Sequence, residues 1–135
     1  MTWLTPRSPY RAILVHIKSK GIKVFHRKIK SGAGGLFNHQ TMIITIDKEY
    51  KDTWDGCYFL AHELVHFTQH REGNFKRFFA DERDLTLEEI IEAEMDAVRG
   101  AVKMLKLWGI QYTPKEFSEE GYNESVKFWK EYYGK

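Results

Sequence analysis

The sequence predicts an α+β fold, and three observations carry that prediction. Thr41 to Ile46 alternates with a period of two, as a half-buried strand does. The stretch from about Trp54 to His70 is apolar nearly all round and reads as a buried helix. Thr86-Leu87-Glu88-Glu89 and Thr113-Pro114-Lys115-Glu116 both have the form of a capping box, and each precedes a helical pattern. The result is a small N-terminal sheet leaning on helices. The 135 residues fit one domain spanning 1–135, and a hydrophobic fraction of 42% supplies its core.

Taken in order, Ser8-Pro9 reads as an N-cap followed by proline at the first helical position. A helix over about 9–20 follows, with Ala12, Ile13, Val15 and Ile17 to pack, and Gly21 at its stop. Ile22 to Ile29 reads as a strand, with His16 and His26 on the surface or partly packed. Ser31-Gly32-Ala33-Gly34-Gly35 reads as a flexible connector, part of a wide hairpin or a mobile flap. It lacks the Gly-Lys-Ser/Thr of a phosphate loop. The strand 41–46 sets Met42, Ile44 and Ile46 on one face and Thr41, Ile43 and Thr45 on the other. It is either an edge that receives an extended peptide or an ordinary interior strand.

Asp47 to Asp55 is a polar connection into the buried helix, which Gly73 ends. Phe75, Phe78 and Phe79 read as a loop or short helix folding back on the core, with a substrate lid as the alternative. Leu85 and Ile90 form a hydrophobic staple around the Thr86 box, and the helix runs to about Trp108 before Gly109. In the last stretch, interrupted at Gly121, the side chains of Phe117, Val126, Phe128, Trp129, Tyr132 and Tyr133 read as a cover for the core rather than a binding platform.

Composition narrows the function. No run of about 18 apolar residues appears, so no membrane-spanning helix is expected. The first six residues do not resemble a secretory signal. Cys57 is the only cysteine, which excludes an internal disulfide and fits a reducing, cytoplasmic setting; it reads as a small buried residue. Net charge is +2, but residues 1–46 hold eight basic and no acidic residues. That asymmetry marks either a surface for nucleic acid or an acidic partner, or a solvated basic face.

The chemistry centres on Ala61-His62-Glu63-Leu64-Val65-His66. Residues four apart share one helical face, so His62 and His66 can offer two imidazoles to one ion. Zn²⁺ accepts imidazole nitrogen, and a catalytic site needs three protein ligands and one open position. Glu63 lies about 100° round the helix from His62, beside the ion without having to ligate it. A carboxylate there can act as general base on a metal-activated water.

The third ligand comes from elsewhere. The helix from Thr86 offers Glu88, Glu89, Glu92, Glu94 and Asp96. Glu94 falls near the centre of the apolar arc drawn by Ile90, Ile91, Ala97, Val98, Ala101, Val102, Leu105 and Trp108. A carboxylate there is expensive unless something needs it, which makes Glu94 the preferred ligand. Ala97 and Ala101 keep that face slim beside a packed helix. Glu92 is the alternative, because Glu92 with Asp96 could supply a ligand and a partner for a ligating histidine. His39 is a further, weaker candidate, and His70 lies too far along the helix to share an ion with His62, at about 12 Å.

His62-Glu63-x-x-His66 followed by a glutamate on a later helix resembles the gluzincin class of zinc metallopeptidases. In size it is similar to minimal gluzincins and to the ImmA/IrrE-type peptidases of mobile elements. The resemblance covers Ala61–His70 and Glu92–Ala101. The usual later motif, Glu-x-x-Ala-Asp/Asn, is met in part twice: Glu94 keeps Ala97 but is followed by Val98, and Glu92 reaches Asp96 but has Met95. The longer metzincin pattern is excluded, since its third histidine would fall at Glu72. The SprT-type proteases take a further histidine, for which His70 is a weak candidate.

The resemblance implies a compact zincin-like domain acting as a zinc peptidase on a peptide or protein substrate. The ligands would be His62, His66 and Glu94, with Glu63 as the base. His70, Tyr58 and Tyr112 are candidate donors to the oxyanion. The competing expectation is a non-catalytic module that binds a metal or a partner, nucleic acid included.

Overall fold

The computed structural model describes residues 5–74 and 86–133. Its order is α1 (Arg7–Ser19), β1 (Lys23–Arg27), β2 (Gly35–Asn38), β3 (Ile43–Asp47), α2 (Trp54–Glu72), α3 (Leu87–Leu107) and α4 (Glu119–Tyr133). Short 3-10 turns at Lys48–Tyr50 and Lys115–Phe117 precede α2 and α4. The α+β reading therefore stands, with a three-stranded sheet beside four helices among the described residues. No described helix is long and apolar enough to cross a membrane.

The sheet order is β1-β3-β2, with β1 parallel and β2 antiparallel to β3. β3 is thus the central strand, and the reading of 41–46 as a peptide-receiving edge is corrected. Ile44 and Ile46 are fully buried while Ile43 and Thr45 are not, so the period of two holds. Thr41 and Met42 leave the strand. Asn38 Oδ1 accepts the amides of Gln40 and Thr41, which turns the chain, and Met42 takes a left-handed φ of 57°. β1 is shorter than expected, with Ile22 and Ile29 buried just outside it.

β2 is the element the sequence reading missed. Gly34 and Gly35 of the expected flap serve close approach rather than flexibility. A Cβ on Gly34 would collide with the Phe59 ring, 2.6 Å from its Cδ2. One on Gly35 would lie 3.1 Å from Glu63 Cγ and from Ile46 Cδ1. Glycine lets the backbone run against α2 at both places.

Helix ends follow their local chemistry, with two corrections. α1 begins at Arg7 after Pro6, and no side chain caps it, so Ser8 is not its N-cap. Pro9 is harmless there because first-turn amides have no helical partner. α4 begins after Ser118, whose Oγ accepts the Gly121 amide, so Thr113 does not cap it. Gly121 does not interrupt α4; its missing Cβ makes room for the Lys115 carbonyl. Elsewhere the expectations hold: Gly73 ends α2 in the left-handed region, and Thr86 and Glu89 form a reciprocal box on α3. The start of α2 gains a cap that the sequence reading did not name, Thr53, through the Gly56 amide. Leu85, Phe75, Phe78 and Phe79 lie outside the described residues.

The core is where α1, β3, α2 and α3 meet. Tyr10, Ile13 and Ile17 face Ile44, Ile46, Leu60, Leu64 and Leu105 there. α2 runs through the middle, with the sheet and α1 on one side and α3 on the other. Ala97 and Ala101 are fully buried, and a Cβ on Gly100 would lie 3.0 Å from Val65 Cγ2. The small face of α3 thus sets a short distance between the two helices, and that distance positions the site.

Candidate metal centre

His62 and His66 project from one side of α2 towards α3, and Glu94 projects back. Glu94 Oε1 lies 2.7 Å from His66 Nε2 and 3.2 Å from His62 Nε2. One ligand-type atom from each of the three lies within 4.8 Å of the others, an arrangement that could hold a metal ion. The Glu94 side chain is buried, as are His66 and Glu63, whereas Glu92 is exposed on the far side of α3. Neither His39 nor His70 joins the group; their rings lie against each other, 5.2 Å apart.

The ring nitrogens turned away from the centre have partners. His66 Nδ1 is 2.9 Å from Gln69 Oε1. The Gln69 amide nitrogen donates to the Ala93 carbonyl at 3.0 Å and to Asp96 Oδ2 at 2.8 Å. An amide fixed from its nitrogen side presents oxygen to His66, so Nδ1 carries hydrogen and Nε2 points at the centre. His62 Nδ1 is 3.5 Å from Tyr58 Oη, and that hydroxyl donates to Glu116 Oε2 at 3.5 Å. Ser125 Oγ in turn donates to Glu116 Oε1. Gln69, Glu116 and Ser125 escaped the sequence reading. Gln69 alone left a signal: it sits three residues after His66, one helical turn on.

Charge supports a cation here. Burial works against ionised Glu94, but the facing His66 and the bonds from both histidines outweigh it, holding the carboxyl well below its usual range. Burial also opposes protonated His66, yet Glu94 pushes its pKa up to about 9. Glu94 and His66 are thus each held towards the charged form by the other, and Glu94 Oε1 favours a positive charge beside it. Two imidazoles and one carboxylate are a donor set suited to zinc. Ligand atoms about 2.1 Å from a tetrahedral zinc lie roughly 3.4 Å apart; the 3.2 Å between Glu94 and His62 is close to that, while the 2.7 Å between Glu94 and His66 is a hydrogen-bond distance that must open by a few tenths of an ångström for an ion to enter.

Glu63 follows His62 on the helix and lies under Gly35 of β2. Burial raises its pKa, with His62 and His66 opposing and Glu94 adding to the rise. A cleft of about 880 Å³ opens over these residues, walled by Gly35 and Phe37 on one side and by Trp129 and Tyr133 on another. That corrects the reading of the last helix as cover alone. Trp129 is buried, but Tyr132 is 40% exposed and Tyr133 reaches the centre, donating to Glu94 Oε2 at 3.1 Å.

The candidate oxyanion donors fall differently. Tyr58 is turned to the outer nitrogen of His62, and Tyr112 stacks on Tyr58 and donates to Asp55. His70 lies against Phe37 and His39. Cys57 is a fully buried thiol away from the cluster, its pKa pushed up to about 12 by burial and then by Asp52.

The description of one family, the IrrE N-terminal-like domain of peptidases, matches residues 17–106. No curated protein and no solved structure matches the chain. The matched segment is two thirds of the sequence and contains His62, Glu63, His66, Gln69 and Glu94. By the extent of that match, and with the cluster falling inside it, the chain belongs to the IrrE N-terminal-like family of peptidase domains.

Proposed function

We propose that this protein is a zinc-dependent peptidase that hydrolyses peptide bonds of a peptide or protein substrate. His62, His66 and Glu94 are the ligands, and Glu63 is the general base. The observation that carries the reading is the convergence of two Nε2 atoms and Glu94 Oε1 in a buried corner, with the Glu63 carboxylate beside it.

Zinc bound there supplies Lewis acidity, bringing the pKa of water to about 7 and polarising a carbonyl. The chain's own residues do the rest. Gln69 holds His66 with Nε2 facing inwards. Glu63 accepts the proton of the attacking water and returns it to the leaving amine. Burial raises its pKa, which favours return of the proton to the leaving amine. The walls of β2 and α4 confine the substrate and shield Glu63 from bulk water. A reducing, cytoplasmic setting belongs to the same reading, supported by a lone buried thiol.

The test pairs zinc content with cleavage of a quenched-fluorescence peptide library by the wild type and three variants. Wild type is expected to hold one zinc and to cleave. Glu63→Gln should keep the zinc and lose about 100-fold or more in turnover. Glu94→Ala should lose the zinc, and Glu92→Ala should keep both zinc and activity. Normal cleavage by Glu63→Gln would end the general-base role, and full zinc in Glu94→Ala would end the ligand assignment. Zinc binding without cleavage would favour a non-catalytic module.

A further inference from the structure

We propose that Tyr133 is a positioning residue for Glu94, holding Oε2 so that the carboxylate offers only Oε1 to a cation. The inference rests on the metal-centre reading above and adds α4 to that centre. It starts from the two oxygens of one side chain. Oε1 faces both histidine Nε2 atoms, at 2.7 and 3.2 Å. Oε2 accepts the Tyr133 hydroxyl at 3.1 Å. An O–H to carboxylate bond is charge-assisted and stronger than a neutral one, and here it sits where water is scarce.

The anchoring of Tyr133 supports the same role. Trp129, one helical turn earlier on the same face of α4, is buried, and α4 packs against α3. The hydroxyl therefore reaches Glu94 from a helix with its own hold on the core. α4 lies beyond the segment matched to the peptidase family, residues 17–106.

The chemical consequence concerns ligand count. A carboxylate can bind a metal through one oxygen or through two. With Oε2 committed to Tyr133, Glu94 would hold a cation through Oε1 alone, and the position a second oxygen would take would stay open. A catalytic zinc needs such an open position, whereas a structural one is closed by protein groups.

The experiment compares Tyr133→Phe with wild type, and repeats the change in a Glu94→Gln background. Zinc affinity is read by competition with a chromophoric chelator, and ligand geometry by the visible spectrum of the Co²⁺-loaded protein. Thermal unfolding establishes that each variant is folded. Tyr133→Phe is expected to lose about 10- to 100-fold in zinc affinity and to shift the cobalt bands. In the Glu94→Gln background the same change should cost less than about threefold, because a neutral amide replaces the charged acceptor and the charge-assisted part of the bond is gone. Tyr122→Phe, on an exposed part of α4, should leave affinity and bands as in wild type.

Wild-type affinity and spectrum in Tyr133→Phe would overturn the proposal. An equal loss in both backgrounds, or in Tyr122→Phe, would also overturn it by pointing to a general effect of the helix. A wild-type protein that takes up no zinc would overturn the metal-centre reading itself, and this measurement precedes every variant.

Discussion

The Gln69 side chain bridges the two helices of the site, with its oxygen 2.9 Å from His66 Nδ1 and its nitrogen on the Ala93 carbonyl and Asp96 of α3. One amide thus fixes a ring on α2 by reference to α3. Replacing it with leucine keeps the volume and removes both functions. Gln69→Leu is expected to lower zinc affinity about 10- to 100-fold, as loss of an outer partner of a ligating histidine does. Chelator competition measures this. Affinity equal to wild type would show that His66 holds its orientation unaided.

Gly35 sits over the proposed base. A methyl group there would lie 3.1 Å from Glu63 Cγ and 3.2 Å from Oε2, so the carboxylate must shift by a few tenths of an ångström. A 1 Å error in a reacting group costs on the order of 100-fold, so about tenfold is expected here. Gly35→Ala should lose about tenfold in turnover while keeping its zinc. Unchanged turnover would mean that Glu63 tolerates more freedom than its packing suggests.

Gly56 makes the complementary case, a glycine required by the fold rather than by chemistry. A Cβ at this position in the first turn of α2 would strike the Tyr50 carbonyl and lie 2.7 Å from Tyr10 Cε1. The carbonyl is backbone and cannot swing aside. Gly56→Ala is expected to cost about 3 kcal/mol or more in urea unfolding. A loss under about 1 kcal/mol would show that the turn before α2 can move.

Asp47 gives a pH dependence. Its buried carboxylate accepts the Ile29 amide and the Glu49 amide, each at 3.0 Å, with Lys28 nearby at 3.7 Å. The Ile29 bond, then the Glu49 bond, lower its pKa from the ordinary 3.8. A folded pKa below the unfolded one stabilises the fold above the unfolded value. That stabilisation is lost as pH falls through the folded value. Asp47→Asn should therefore be less stable than wild type at pH 7, and the gap should shrink below about pH 4. Urea midpoints from pH 7 to pH 3 measure it; a constant gap would remove the role.

Much of this was legible in the sequence because the signals were local. The Thr86 box, the Gly73 stop and the alternation at Ile44 and Ile46 each depend on a few adjacent residues. Glu94 was legible because a carboxylate in an apolar arc needs a reason. β2 was not legible, since Gly34 and Gly35 read as slack until Phe59 and Glu63 are seen packed against them. Tyr133 was hidden for a similar cause. A tyrosine that covers a core and one that donates to a buried carboxylate look the same in one dimension. The start of α4 was misplaced because Thr113 and Ser118 are both plausible caps, and packing of the Lys115 carbonyl against Gly121 decides between them.

Gly100 stands six residues after Glu94 on α3, about 9 Å along the axis. There the backbone of α3 comes so near Val65 that a methyl group would have to push in at 3.0 Å. This contact works as the fulcrum of a lever whose other arm ends at the carboxylate. An added carbon there must be met by a shift of a few tenths of an ångström, either in the Val65 side chain or in α3 itself. Substitutions along the seam between α2 and α3 can therefore reach the candidate centre without touching His62, His66 or Glu94.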